Sequence, residues 1–350
     1  YPASTLGGQE MDEARAGLAA MMGVEIDELS FGPSTTQNTY VLSQAFAQMM
    51  SPGDVVIVTN QDHAANSGPW RRLAERGMIV REWQMNEEGH LDPADLAELL
   101  DDKVKLVCFP HCSNVIGEVN DVAAITQVVH DAGAVCCVDG VSYAPHGIAN
   151  VSELGADIYL FSAYKTYGPH QGIMAIRRDL GMRLPNQGHH FNADSLYKRF
   201  TPAGPDHAQV AASAGMVDYA NALYDHHFNE AADLPSRAAA VHNLMRGQET
   251  ELMQPLLDFL AAKNSVRLLG PTNAASRAPT LALDLGRAAQ PFEAKLAKHG
   301  IMSGGGDFYA GRALMANGVD PELGALRVSF VHYTSPAEIQ QLIDALDQEL

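Results

Sequence analysis

At 350 residues, 46% of them hydrophobic, the chain can bury a large core and is too long for one small domain, so a large domain with a smaller companion is expected. Its formal charge of -19 argues against nucleic acid and anionic membrane as partners, and no apolar run is long enough to cross a bilayer. The residues from Tyr1 to Glu10 lack the features of a secretion signal, and Cys108, Cys112, Cys136 and Cys137 lack zinc-site spacing; together these predict reduced buried thiols, no metal and a cytoplasmic setting.

In chain order, Gly32-Pro33-Ser34-Thr35-Thr36-Gln37-Asn38 precedes a helix-period run, Val41–Met50. Strands are predicted at Val55–Thr59, Ile79–Trp83, Leu106–Pro110, Ala134–Asp139, Asp157–Ser162 and Gly172–Arg177, with helices at Asp92–Leu100 and Val122–Ala132 between them. This alternation predicts an α/β domain with a mostly parallel sheet and helices on its faces. The unbroken apolar run Lys105–Pro110 suits a strand buried on both sides. After about residue 205 the pattern changes to helices at Asp206–Leu223 and Leu234–Lys263. Strands near Thr280–Leu285 and Leu326–Val331 and helices at Gln290–Lys298 and Pro336–Leu350 follow. The expected division is a large domain, 1–230, and a smaller α+β domain, 231–350, joined by the long helix.

Chemistry gathers at the predicted strand ends. Lys165 follows the strand Asp157–Ser162 and precedes Gly168-Pro169, so a turn holds it in place. A lysine amine kept partly out of water loses its proton readily and can form a Schiff base with an aldehyde. Asp139 ends a neighbouring strand, where open α/β sheets collect ligands, and a carboxylate there can keep a pyridinium nitrogen protonated. An isolated lysine in a loop is usually a surface residue, and an isolated strand-end aspartate is usually a cap. Together they read as half of a site for pyridoxal 5'-phosphate (PLP). Thr35 and Thr36, at a helix start, then become a phosphate cradle, with Ser162 a further donor. His63, after the strand Val55–Thr59, can lie flat on the pyridine ring, and Asn114, after the strand ending at Pro110, can donate to the cofactor or to a substrate carboxylate.

The ordered set Thr-Thr, Asp-His, Ser-Asn-x-x-Gly, Val-Asp-Gly and Ser-x-x-Lys resembles the class V aminotransferases, the fold-type I PLP enzymes that include cysteine desulfurases and selenocysteine lyases. The likeness runs from about Thr5 to Leu350. It implies that Lys165 forms the internal aldimine, Asp139 meets the pyridine nitrogen, His63 stacks on the ring, Thr36 and Ser162 hold the phosphate, and Asn114 lies near the reacting centre. It also implies that Arg327 grips the substrate carboxylate, a task suited to a guanidinium, and that the enzyme is a homodimer. Ser142 stands where desulfurases usually carry Gln or His, and Tyr164 where many carry His beside the phosphate. Relatives usually carry a segment ahead of the equivalent of Thr5.

Desulfurases attack the substrate sulfur with a mobile cysteine on a loop ahead of the arginine. The matching stretch here, Gly300-Ile-Met-Ser-Gly-Gly-Gly-Asp307-Phe-Tyr-Ala310, has none, so the chain looks most like a desulfurase-like branch without that nucleophile. Transamination and β-elimination of the C–S lyase type on an amino acid or related amine are the leading readings. Desulfuration, selenocysteine cleavage and epimerisation are alternatives. A non-catalytic PLP-binding regulator is the rival from another class; it predicts loss of Lys165 or Arg327, and both are present.

Overall fold

The computed structural model describes residues 1–350. Seven strands, β1 (Leu29–Gly32), β2 (Val55–Thr59), β3 (Ile79–Trp83), β4 (Val104–Pro110), β5 (Val135–Asp139), β6 (Ile158–Ser162) and β7 (Gly172–Ile176), form one sheet in the order β1-β7-β6-β5-β4-β2-β3. The run from β6 through β5, β4 and β2 to β3 is parallel; β7 pairs antiparallel with β6, and β1 antiparallel with β7. Successive strand residues point to opposite faces, and both faces are covered. Val55, Ile57, Cys136 and Val138 join one core with Leu18, Ile125 and Val129. Val56, Val58, Cys137 and Leu160 join the other with Leu42, Phe46 and Trp70. This is why β2, β5 and β6 read as unbroken apolar runs. The strand order reverses between β2 and β4, so the carboxyl ends on either side of that point form a natural ligand crevice.

A second, antiparallel sheet, β10-β11-β9-β8, is built from β8 (Arg267–Leu269), β9 (Thr280–Asp284), β10 (Gly304–Gly306) and β11 (Ala325–Ser329). Its core, including Leu281, Leu283, Leu326 and Val328, packs on Leu252, Met253, Leu256 and Leu260 of the 28-residue helix Leu234–Ala261 and on Leu342 and Leu346 of the helix Pro336–Glu349. No helix is long and apolar enough to cross a membrane.

Two differences from the expected elements have clear causes. The stretch Asp206–Leu223 is two helices, His207–Ala212 and Ala214–His227, meeting at Ser213. The Ser213 hydroxyl bonds back to the Gln209 carbonyl and to Gln171 Oε1, which competes with an unbroken backbone ladder. The helix α1 (Pro2–Met22) was not expected; only its second half is buried, through Leu18, Ala19, Met21 and Met22, so its first half carries no apolar stripe.

Candidate active site

A cleft of about 610 Å³ opens between the carboxyl ends of the large sheet and the inner strands β9 and β11 of the small one. All ten residues singled out from the sequence line it: Thr35, Thr36, His63, Asn114, Asp139, Ser142, Ser162, Tyr164, Lys165 and Arg327.

Lys165 ends the 3₁₀ turn Ala163–Lys165 directly after β6. Burial pushes its amine below the ordinary lysine value, Asp139 pulls it back up, and Arg327 lowers it further. Its Nζ lies 5.8 Å from the ring centroid of Tyr164, which is half exposed and stacked on His170 at 4.8 Å. Asp139, the last residue of β5, accepts from the Val141 N–H at 2.8 Å; burial nevertheless lifts its carboxyl to about 6. Ser142 sits half-buried in the turn that follows.

At the opposite wall the helix α2 (Thr35–Met49) is capped by Ser34, whose Oγ accepts from the Gln37 N–H at 3.1 Å. The cap is therefore Ser34, which leaves Thr35 and Thr36 in the first turn with its free N–H groups. Thr35 Oγ1 lies 2.8 Å from Ser162 Oγ, so this helix end is tied to the strand that carries Lys165. The approach needs glycine at 172: a Cβ there would stand 2.3 Å from the Ser34 carbonyl carbon and 2.5 Å from the Thr35 nitrogen.

His63 caps the helix α3 (Ala64–Arg71), its Nδ1 accepting from the Ala65 N–H at 3.0 Å. Burial, then Lys165 and Arg327, lower it to about 4, so the imidazole is neutral across the physiological range. Asn114 donates to the Phe308 carbonyl at 2.9 Å while its own carbonyl accepts from Arg327 Nη1 at 2.8 Å; its Oδ1 is buried without a partner. Arg327, on β11, is pushed below the usual arginine value by burial, and Phe308 covers its guanidinium at 4.1 Å.

Several groups in this cleft were not singled out from the sequence. Asp62 is buried beside Asp139, and burial and that neighbour raise its carboxyl well above the ordinary range; Asn66 donates to its Oδ2 at 2.9 Å. Only its position next to His63 hinted at this. Cys112 lies in the wall, bonded to the Ser113 and Gly117 carbonyls, and burial pushes its thiol up to about 12, which leaves it unreactive. Phe308 and Tyr309 adopt left-handed backbone angles, φ 52° and 56°, strained for residues bearing a Cβ. The Ala64 N–H holds the Tyr309 carbonyl at 2.7 Å, as Asn114 holds that of Phe308. Away from the cleft, the ligating atoms of His130, Cys136 and Asp157 lie within 4.8 Å of one another, but Asp157 Oδ2 is already engaged by His130 at 2.8 Å and by the Cys136 N–H at 2.9 Å.

Residues 3–342 match the sequence profile of the family described as Aminotransferase class-V. An aminotransferase-like protein, FGM3, of Gibberella zeae is 34% identical over all of this chain and 85% of its own length. A cysteine desulfurase of Pectobacterium carotovorum is 29% identical over 97% of this chain and 82% of that protein. In fold, the chain matches the apo structure of a cysteine desulfurase from Thermococcus onnurineus NA1 with a TM-score of 0.84 at 22% identity, over 99% of this chain and 84% of that one. With this fold, that of the fold-type I PLP enzymes, and with a profile match spanning nearly its whole length, the chain belongs to the class V aminotransferase family of PLP-dependent enzymes.

Proposed function

We propose that this chain holds PLP at Lys165 and acts on the α-carbon of an amino acid or related amine, by transamination or by β-elimination of a side-chain substituent. One observation carries the reading: an amine depressed by burial, at the end of β6, shares a cleft with a buried carboxylate at the end of β5. The residues fit the cofactor. Thr35, Thr36 and Ser162 supply hydroxyl and backbone donors for a phosphate at the start of α2, and Asn114 and Arg327 line the same cleft.

When bound, PLP supplies an aldehyde and an electron-withdrawing ring. Asp139 would hold the ring nitrogen protonated, His63 would lie against the ring, and Tyr164 and Ser142 would add hydrogen bonds at its edge. Arg327 would take the substrate carboxylate in a charge-assisted pair. Lys165, its proton affinity reduced by burial and by Arg327, is the base placed to take the substrate's α-proton. We also infer a homodimer, testable by light scattering on the purified protein.

Desulfuration by the persulfide route is disfavoured by what fills the position of the missing cysteine. The segment Gly304–Ala310 contains a short strand and two aromatic residues with pinned carbonyls, and the one thiol at the cleft is buried and bonded.

The test is direct. Purified protein with PLP should develop an absorbance that borohydride fixes covalently, and Lys165→Ala should abolish that fixation. Amino acids are then supplied with and without an α-keto acid. Pyruvate and ammonia without acceptor mark elimination, and dependence on the keto acid marks transfer. A protein that stays colourless with PLP overturns the reading.

A further inference from the structure

One histidine in the cleft wall has no part in the scheme above. His146 closes the 3₁₀ turn Ala144–His146 after β5, is buried, and borders the cleft. Its Nδ1 lies 2.8 Å from Oε1 of Glu249, a fully buried residue on the long helix Leu234–Ala261. The other carboxylate oxygen accepts from Arg246 Nη1 at 3.3 Å, and Arg246 also donates to the Arg277 carbonyl at 2.9 Å.

A carboxylate only accepts, so the Nδ1 of His146 carries the hydrogen and Nε2 is left with a lone pair. Arg246 pairs with the same Glu249 carboxylate from its other side. Nε2 makes no hydrogen bond within the protein, and His146 lines the cleft. The position is also braced. Tyr167, two residues beyond Lys165 and itself at φ 62°, donates to the Pro145 carbonyl at 2.7 Å and lies 3.4 Å from His332 Nδ1. That bond pair seats the turn bearing His146 against Val331–His332 of the small sheet's trailing loop. Pro145 and Val331 line the cleft beside it.

We propose that His146, oriented by Glu249, is a specificity-determining residue whose Nε2 accepts a hydrogen bond from a hydroxyl on the substrate's side chain. The ligand class follows from the donor required. A thiol donates weakly, and an ammonium in the same cleft meets Lys165 and Arg327. A hydroxyl satisfies the lone pair without a charge cost, so hydroxyl-bearing amino acids are the preferred substrates. The inference rests on the reading of the cleft as a PLP and amino-acid site.

Serine and alanine differ only by the hydroxyl, so their ratio of dissociation constants isolates it. Cofactor-loaded protein is titrated with each amino acid while the cofactor's absorbance is followed, with L-cysteine as a third arm. Wild type is expected to prefer serine over alanine by about tenfold or more, the scale of one hydrogen bond made in a desolvated site. His146→Phe should bring that ratio to about one, and His146→Gln, whose amide oxygen can still accept, should recover part of it. Because His146→Phe deprives buried Glu249 of a partner, the double variant His146→Phe/Glu249→Gln repeats the measurement with the pair removed together. A wild type indifferent to the hydroxyl, a preference for cysteine over serine, or a serine preference that survives in both Phe variants overturns this inference alone. A wild type whose absorbance responds to no amino acid overturns the cofactor reading and this inference with it.

Discussion

Burial moves the two central groups of the cleft in opposite directions, and both movements have measurable consequences. Lys165 loses proton affinity, so the fraction of free amine falls as pH drops through a value below the ordinary lysine value of 10.5. The rate should therefore have an acid limb assigned to this amine, and the limb should move upward when Arg327→Gln removes a nearby positive charge. Arg327→Gln should also raise KM for amino acids by more than about tenfold, as expected when a charge-assisted pair is lost; a KM that stays put while kcat falls would contradict the role given to Arg327. Asp139 behaves inversely. Its value in the folded chain, about 6, exceeds the ordinary 3.8, so between these values the folded chain keeps a proton that the unfolded chain has released. The stability this group contributes is full below 3.8 and is lost as pH rises through about 6. His63, lowered from 6.5 to about 4, contributes with the opposite sign over an overlapping window, so the comparison is best made between variants. Relative to wild type, cofactor-free Asp139→Asn should gain about 2 kcal/mol between pH 4 and pH 7, measured by chemical denaturation. Parallel stability profiles for the two proteins would refute it. Lys165 and Asp139 could be picked out in the sequence because Asp139 ends one apolar strand and Lys165 stands on the turn just after another. Asp62, Cys112, His146 and Phe308 could not, because what places them is contact with residues far away in the chain, such as Glu249 for His146 and Asn114 for Phe308.

Among the elements, the interior parallel strands were the most legible, since burial on both faces leaves an unbroken apolar run that few other structures produce. β2 and β3 occupy the expected residues, and β4 begins two residues early at Val104. β1 was missed: it is four residues long, and its Ser30 and Gly32 interrupt the apolar signal. The helix α3 was missed because it holds Pro69 in its body and follows a histidine cap, neither of which announces a helix. The junction between β7 and α2 is the element contact that matters most for the cleft. Gly172→Ala would drive a methyl group into the Ser34 and Thr35 backbone, which has no flexible tip to yield. The expected cost is about 1–3 kcal/mol of stability, together with weaker retention of PLP and of inorganic phosphate. Thermal melts and phosphate competition would measure both; a variant with unchanged PLP affinity would show that this helix end is not the phosphate cradle.

For the molecule as a whole, the two sheets are held in register by arginines that cross the seam. Arg277 is fully buried, and its guanidinium donates to the carbonyls of Ile116 at 2.9 Å and Thr280 at 2.9 Å, bonding the turn that carries Asn114 to the first residue of β9. Gly117, at φ 71°, permits this approach; a Cβ would stand 2.4 Å from the Thr280 oxygen. Arg277→Met should leave these buried carbonyls unpaired and cost about 3 kcal/mol or more. It should also lower substrate affinity, because Arg327 and Asn114 lose their common frame. Equilibrium unfolding and a KM measurement would check the two effects.

The left-handed pair Phe308–Tyr309 has a consequence for where a sulfur-carrying thiol could sit on this frame. A persulfide-carrying thiol must swing between substrate and acceptor, whereas here the chain is fastened by both carbonyls, one to Asn114 and one to the start of α3. Writing a cysteine codon at 308 or 309 would plant the sulfur on a nailed-down plank. A thiol that swings would need a longer, looser span between Asn114 and the start of α3 than this pinned pair provides.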